Sequence, residues 1–178
     1  MQVSKIHSKG GAIPEASAQL TSTSHDVRDT DNQLIDKLSK RIGKVVDLEV
    51  KENVSCSSWM ARVYGSGGYF FPHHDAIHVE SADFLPYIGR FEPNTDNQIA
   101  TMILYLSEVS GGRTVFNKLG FGIQPSAGTG LFFQNLHSNG SIDTRLMHAS
   151  CPTVLGVKWI GNKFIWRNDQ MWRRHCKL

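Results

Sequence analysis

The segment IATMILYLSEV, residues 99–109, is one of five short segments whose apolar, aromatic and β-branched residues decide the fold class. The other four are SCSSWMARVYG (55–65), TVFNKLGFGIQP (114–125), GTGLFFQNL (128–136) and TVLGVKWIGNKFIW (153–166). Glycine and proline turns separate these segments. Many short strands at regular spacing predict a mainly β fold, either a sandwich or a jelly roll.

One flanking helix is expected before these strands. Thr30 and Gln33 have the spacing of a capping box, and Gly43 is expected to end the helix. The apolar residues between them recur on one helical face: Leu34, Ile35, Leu38 and Ile42. Residues 1–30 are polar and are expected to be extended or loop structure that contributes little to the core.

Composition limits the function classes. The chain has 178 residues, of which 40% are apolar and 20% charged, so a single globular domain is expected. The formal net charge is +3 and the basic residues are scattered, which argues against nucleic acid as a partner. No apolar run is long enough to predict a membrane span, and the first residues carry no secretory signal. The segment Val79 to Asn97 is expected to form a long loop or lid.

A candidate metal site lies in YFFPHHDAIH, residues 69–78. In an extended segment His73 and Asp75 share one face, while His74 and His78 point the other way. A His-x-Asp pair with a distant histidine is the 2-His-1-carboxylate set, which binds one face of Fe(II). The pair alone is weak evidence, since a surface histidine and aspartate beside a turn would give the same pattern.

A distant histidine and a lysine supply context. His148 lies in LMHASCP near the end of the predicted sheet, and Lys158 follows ten residues later, after a turn and a strand. That spacing puts a long cation on the neighbouring strand, where it could meet a carboxylate bound at the metal. The alternative is a lysine on a solvated strand face.

Together these motifs resemble a known family. YGSGGYFFPHHD, NQIATMILYLSEVSGGRTVF, HASCPTVLGVKWIGNK and QMWRRHC are similar, in order and spacing, to the catalytic domain of collagen-type prolyl 4-hydroxylase α subunits. The resemblance runs from about Ile6 to Cys176. It implies a double-stranded β-helix, with residues 1–178 forming one catalytic domain that lacks the family's N-terminal helices.

The implied activity is 4-hydroxylation of proline in collagen-like, proline-rich peptides. The implied cofactors and cosubstrates are Fe(II), 2-oxoglutarate, L-ascorbate and O2, and the products include succinate and CO2. The resemblance further implies the endoplasmic reticulum lumen and a disulfide-isomerase-type subunit as partner. Oxygen-sensing prolyl hydroxylases usually bind 2-oxoglutarate with an arginine, so Lys158 argues against that branch. Two alternatives are a related hydroxylase of another protein substrate and a non-catalytic peptide-binding relative.

The resemblance also assigns residues. The metal ligands are His73, Asp75 and His148, and Lys158 holds the distal carboxylate of 2-oxoglutarate. The hydroxyls of Tyr64 and Thr101 would donate to that same carboxylate beside Lys158. Family members carry two cysteines at positions matching Cys151 and Cys176, so a disulfide between these residues is implied, with Cys56 free. Such a bond favours an oxidising compartment, as do the sequons at Asn53 and Asn139.

The departures from the family pattern cluster around the substrate. Tyr69, Phe70 and Phe71 replace Gln, Tyr and Glu ahead of the first ligand, and Leu146 and Met147 are inserted before His148. Near the end of the last strand, Phe164 and Trp166 replace Trp and His. These changes put collagen as the substrate in doubt, because lost hydrogen-bond partners can shift preference strongly. The candidates for an aromatic-lined peptide groove are Tyr69, Phe70, Trp159 and Phe164.

Overall fold

The computed structural model describes residues 2–3, 22–52, 57–77, 97–167 and 170. Within these ranges lie strands that pair antiparallel throughout, one α-helix, and a short 3-10 helix at Thr144–Leu146. In chain order the strands and the α-helix are β1 (Gln2–Val3), β2 (Thr23–Val27), α1 (Gln33–Val46), β3 (Trp59–Tyr64), β4 (Phe70–His73), β5 (Gln98–Tyr105), β6 (Ser110–Gly111), β7 (Thr114–Phe116), β8 (Phe121–Ile123), β9 (Gly130–Gln134), β10 (His148–Ser150), β11 (Thr153–Leu155) and β12 (Lys158–Trp166).

Two sheets face each other across an apolar core. The larger has six strands in the order β1-β2-β3-β12-β5-β9, and the smaller has four in the order β4-β10-β7-β8. A two-stranded sheet pairs β11 with β6. Side chains from β3, β5, β9 and β12 meet the β7 side chain Phe116 between the sheets, which confirms the predicted two-layer β architecture. The core residues are Tyr64, Ile103, Tyr105, Phe116, Phe133 and Ile160.

Helix α1 covers the outer face of the larger sheet, where Ile42 packs with Trp59 and Ile165. The predicted capping residue was wrong: Asn32, not Thr30, caps the helix, because its side chain accepts a hydrogen bond from the Leu34 amide at 2.8 Å. The helix also continues past Gly43 to Val46, and Leu34 is 69% exposed instead of facing the core.

Residues 23–27 are extended, as expected, but the expectation of little contribution to the interior was wrong at Asp29. Strand β2 pairs along β3, so a polar sequence is held by backbone hydrogen bonds. Just beyond it, Asp29 is buried and pairs with the buried Lys163 of β12 at 3.2 Å. Ser39 donates to the same carboxylate at 2.7 Å, which ties α1 to the sheet.

Asn97 anchors the chain that leaves the candidate metal segment. Its side chain accepts from the Ile77 amide at 2.8 Å and donates to the Ile77 carbonyl at 2.9 Å. The rest of the expected loop or lid, residues 79–96, lies outside the described residues. Among the residues that are described, no helix has the length and apolar character needed to cross a membrane.

Candidate metal and cosubstrate site

Strand pairing brings His73 and His148 together. His73 ends β4 and His148 begins β10, and the two residues are direct partners in the antiparallel register. Asp75 follows two residues after His73, and its carboxylate lies 3.5 Å from His73 Nε2 and 3.7 Å from His148 Nε2. One ligand atom from each of the three residues lies within 4.8 Å of the others, a spacing that one metal ion can bridge.

The imidazole rings are held in the tautomer that a metal needs. His73 Nδ1 lies 2.8 Å from the Phe71 carbonyl, and His148 Nδ1 lies 3.0 Å from the Leu146 carbonyl. A carbonyl only accepts, so each Nδ1 carries the proton and the lone pair of each Nε2 is left for a metal.

Asp75 is held by a chain of hydrogen bonds. The Thr101 hydroxyl donates to Asp75 Oδ2 at 2.7 Å, and the Asn135 amide donates to the Thr101 hydroxyl at 3.0 Å. Burial alone would raise the pKa of Asp75, but His148, His73 and the Thr101 hydroxyl hold it well below its usual value. Burial lowers the pKa of His148, against the attraction of Asp75. The site therefore offers two imidazoles and one carboxylate, a donor set that fits Fe(II).

Lys158 supplies a buried cation to the same pocket. Its side chain is 1% exposed, and Nζ donates to the Gly112 carbonyl at 2.7 Å and to the Ser150 hydroxyl at 2.8 Å. No carboxylate pairs with Lys158 in the part of the chain that the structure describes. Burial lowers the pKa of this amine to about 8. A buried amine of this kind fits a dicarboxylate that also reaches the metal, such as 2-oxoglutarate.

The two predicted hydroxyl donors contact different parts of the site. Tyr64 is the register partner of Lys158, whose Nζ lies 5.2 Å from the centre of the tyrosine ring. Burial raises the pKa of Tyr64, so its hydroxyl stays protonated. Thr101, by contrast, donates to Asp75, which differs from the expected place beside Lys158. The threonine that lines the pocket without contacting Asp75 is Thr114, which the sequence interpretation missed.

Comparison with known proteins decides the family. The profile of the 2OG-Fe(II) oxygenase superfamily matches residues 59–166, which include the metal cluster and Lys158. The chain belongs to the 2OG-Fe(II) oxygenase superfamily. The expected resemblance is confirmed: prolyl 4-hydroxylase subunit alpha-2 of Caenorhabditis elegans is 35% identical over 173 residues, 97% of this chain and 30% of that protein. Human prolyl 4-hydroxylase subunit alpha-1 is 34% identical over 149 residues, 83% of this chain and 26% of that protein.

This oxygenase thus spans between about a quarter and a third of the length of these curated relatives.

Solved structures confirm the oxygenase fold. The viral collagen prolyl hydroxylase of Paramecium Bursaria Chlorella virus-1, in its 2OG complex, matches with a TM-score of 0.68 at 23% identity, covering 83% of this chain and 80% of that one. A Pseudomonas putida prolyl-4-hydroxylase matches with a TM-score of 0.57 at 12% identity, covering 86% and 76%.

The groove candidates of the oxygenase do not share one surface. Phe70 lines the pocket and stacks on the His73 ring at 3.8 Å, and Phe164 also lines it. Tyr69 instead packs against Phe71 at 5.2 Å. Trp159 is 40% exposed and does not line the pocket, and as the neighbour of Lys158 on β12 it faces the opposite side of the sheet.

The remaining sequence expectations are only partly covered. The expectation that His74 points away from the site was wrong, because it lines the pocket, although it is not in the metal-binding group; His78 lies outside the described residues. Cys151 is partly buried, whereas Cys56 and Cys176 lie outside the described ranges, so the disulfide stays a prediction.

The sequence interpretation also missed one pocket-lining cation, Arg62. Its two-residue spacing from Tyr64 on β3 is the signal that could have found it.

Proposed function

We propose that this oxygenase is a prolyl 4-hydroxylase that acts on proline-rich, collagen-like peptides. The observation that carries the proposal is the pairing of the three-residue metal cluster with the buried Lys158 in one pocket. With Fe(II), 2-oxoglutarate and O2, such a site couples oxidative decarboxylation to hydroxylation, and yields succinate and CO2. The names of the curated relatives support proline as the target residue.

The chain's own residues would place the reactants. His73, Asp75 and His148 would hold Fe(II), and the Asn135–Thr101 chain would keep the Asp75 carboxylate turned toward it. Lys158 would hold the distal carboxylate of 2-oxoglutarate, with the Tyr64 hydroxyl as a second donor. Phe70 packs against the His73 ring, so it both fixes that ring and shields one side of the site from water.

Further parts of the proposal rest on the family resemblance. L-Ascorbate would rereduce iron that becomes oxidised in uncoupled turnovers. A disulfide-isomerase-type subunit would be the partner, and the endoplasmic reticulum lumen the compartment. Residues 1–178 would form one catalytic domain, and a disulfide between Cys151 and Cys176 would tie the end of the chain to the sheet next to β10. Mass mapping of a non-reduced digest of protein made in the secretory pathway tests the disulfide: free thiols at both cysteines would refute it.

Turnover tests the proposed function. The protein is incubated with iron, 2-oxoglutarate, ascorbate and a panel of peptides that includes Pro-Pro-Gly repeats, and succinate and oxidised peptide are measured by mass. We expect succinate together with a peptide that has gained one oxygen atom on proline. Oxidation of another residue would favour the related hydroxylase, which the changes at Phe70 and Phe71 also allow. Absence of succinate from folded, iron-loaded protein would leave only the non-catalytic relative.

A further inference from the structure

Arg62 is a second buried cation in the pocket. It lies on β3 two residues before Tyr64, so both side chains face the pocket, and it is only 8% exposed. Its guanidinium lies 5.3 Å from the centre of the Phe70 ring, and its nitrogens contact Tyr64 Oη at 3.5 Å and Met60 Sδ at 3.1 Å. None of these partners carries a negative charge.

The guanidinium lacks the partner that a buried cation needs. Across the described ranges, no ion pair joins Arg62 to a carboxylate, and its Nε has no hydrogen-bond partner. Lys163, by contrast, is a buried amine that is paired with Asp29. Burying an unpaired charge is costly, so an uncompensated arginine aimed into a pocket points to an anionic ligand.

Two other orphaned polar atoms line the same pocket. Asn162 Oδ1 and Gln98 Oε1 are buried, and neither accepts a hydrogen bond among the described residues. Asn162 lies opposite Met60 in the register, so it is a diagonal, same-face neighbour of Arg62. Native proteins leave few such atoms unsatisfied, and a ligand is one way to satisfy them. A donor and two acceptors together match a peptide that offers a carboxylate and N–H groups.

Charge balance separates Arg62 from Lys158. In the proposed complex the charges of Fe(II), the Asp75 carboxylate, a 2-oxoglutarate dianion and the Lys158 ammonium cancel. Arg62 then remains as an uncompensated cation. The register partner of Arg62 on β12 is Ile160, which lies between Lys158 and Asn162 on the same face of the strand. Arg62 therefore lies farther along β12 than Lys158, on the side toward Asn162.

We propose that Arg62 forms an anion subsite for a carboxylate carried by the peptide substrate next to the residue that is hydroxylated. Asn162 and Gln98 accept N–H groups of the same peptide. The carboxylate comes from an Asp or Glu side chain or from a C-terminal proline. This inference rests on the proposed peptide hydroxylase function and names its substrate class.

Peptide binding without turnover tests the subsite. The protein is loaded with Mn(II) and 2-oxoglutarate in the absence of O2, and fluorescent peptides are titrated by anisotropy. One pair of peptides has Glu or Gln beside the proline, and a second pair ends in a free or an amidated proline. We expect the acidic member of at least one pair to bind about 10- to 100-fold more tightly, as one charge-assisted contact predicts. The pair that discriminates identifies the source of the carboxylate.

Variants connect that preference to Arg62. Arg62→Gln should abolish the difference within the discriminating pair, and Arg62→Lys should restore part of it. Arg41→Gln, which removes a charge from the exposed face of α1, is the matched control and should retain the full preference. Asn162→Asp places a carboxylate beside Arg62 within the protein, so it should remove or reverse the preference even if Arg62→Gln does not fold.

Three results would overturn the subsite. In the first, the wild type binds acidic and neutral peptides equally. In the second, Arg62→Gln keeps the preference and only weakens 2-oxoglutarate binding, so the arginine serves the cosubstrate. In the third, Asn162→Asp keeps the full preference. Failure of the proposed function is distinguishable, because iron-loaded protein would then form no succinate with any peptide, whatever the binding preference.

Discussion

Replacing Lys158 with methionine should separate stability from ligand binding. In the folded protein, burial lowers the pKa of Lys158 from 10.5 to about 8. At neutral pH that shift corresponds to a destabilisation of about 3 kcal/mol, at roughly 1.4 kcal/mol for each pKa unit. Lys158→Met relieves this cost but also loses the hydrogen bonds from the ammonium group to Gly112 and Ser150, each worth about 1.5 kcal/mol. The two effects nearly cancel, so the variant should be about as stable as the wild type without ligand.

The pH dependence has a defined sign. Because the amine has a lower pKa when folded than when unfolded, the unfolded chain binds more protons between about pH 8 and pH 10.5. The Lys158 contribution to the free energy of unfolding therefore rises with pH across that window in the wild type. Lys158→Met lacks that contribution. Urea unfolding at neutral and at alkaline pH measures both effects.

Binding, by contrast, should weaken strongly. Removing the cation that faces a buried carboxylate costs about 3–5 kcal/mol, so the affinity for 2-oxoglutarate should fall roughly 100- to 4,000-fold. Calorimetric titration of Mn(II)-loaded protein measures that loss. Lys163→Met is the matched control on the same strand, because it breaks the pair with Asp29. It should destabilise by about 3 kcal/mol or more while the folded protein keeps its 2-oxoglutarate affinity.

Two results would refute this reasoning about Lys158. The first is a Lys158→Met variant that binds 2-oxoglutarate as tightly as the wild type. The second is a variant that is destabilised by several kcal/mol at neutral pH, as Lys163→Met should be.

Three further predictions follow from the same geometry. Thr101→Val removes the hydroxyl that holds Asp75, so metal affinity should fall about 10- to 100-fold in a metal titration; unchanged affinity would contradict the positioning role. The affinity for 2-oxoglutarate should decrease as the pH rises above about 8, because Lys158 loses its proton. Lys158→Arg should shift this loss of affinity to higher pH. An identical pH profile in both proteins would point to another group. Gly111→Ala should destabilise the protein by about 2 kcal/mol or more in urea unfolding. The reason is that Gly111 has φ of 76° and that an added Cβ would lie 2.6 Å from the Pro152 carbonyl oxygen. Wild-type stability would show that the β6–β11 pair adjusts freely.

Alternation along strands accounts for much of what the sequence could predict. It led to the correct pairing of His73 with Asp75, although β4 ends at His73. The spacing from His148 was expected to put Lys158 on the neighbouring strand, and this was wrong: β10 and β12 lie in different sheets, and Lys158 is the register partner of Tyr64. The same rule excludes Trp159 from the pocket, since neighbours on a strand face opposite sides. Alternation did not predict the position of His74 correctly. Strand β4 ends at His73, so the chain leaves the extended conformation before the His74 side chain can be directed to the opposite face.

Other features depend on contacts that sequence spacing does not encode. Both Thr30 and Asn32 are good capping residues, and only the backbone path shows which one reaches an amide of α1. Strand β2 has no apolar alternation that would predict a strand, and it is held mainly by backbone hydrogen bonds to β3. The direction of the Thr101 hydroxyl depends on where Asp75 lies after the turn that follows β4, which is a tertiary property.

The most direct test of the metal and cosubstrate site is anaerobic addition of 2-oxoglutarate to iron-loaded protein, followed by visible absorption. A charge-transfer band appears only when the cosubstrate chelates iron through its 2-oxo and carboxylate groups. The wild type and His74→Ala should both give a saturable band, and His148→Ala should give none, because His148 belongs to the ligand cluster and His74 does not. A wild-type protein without the band, or a band of equal intensity in His148→Ala, would contradict the proposed site.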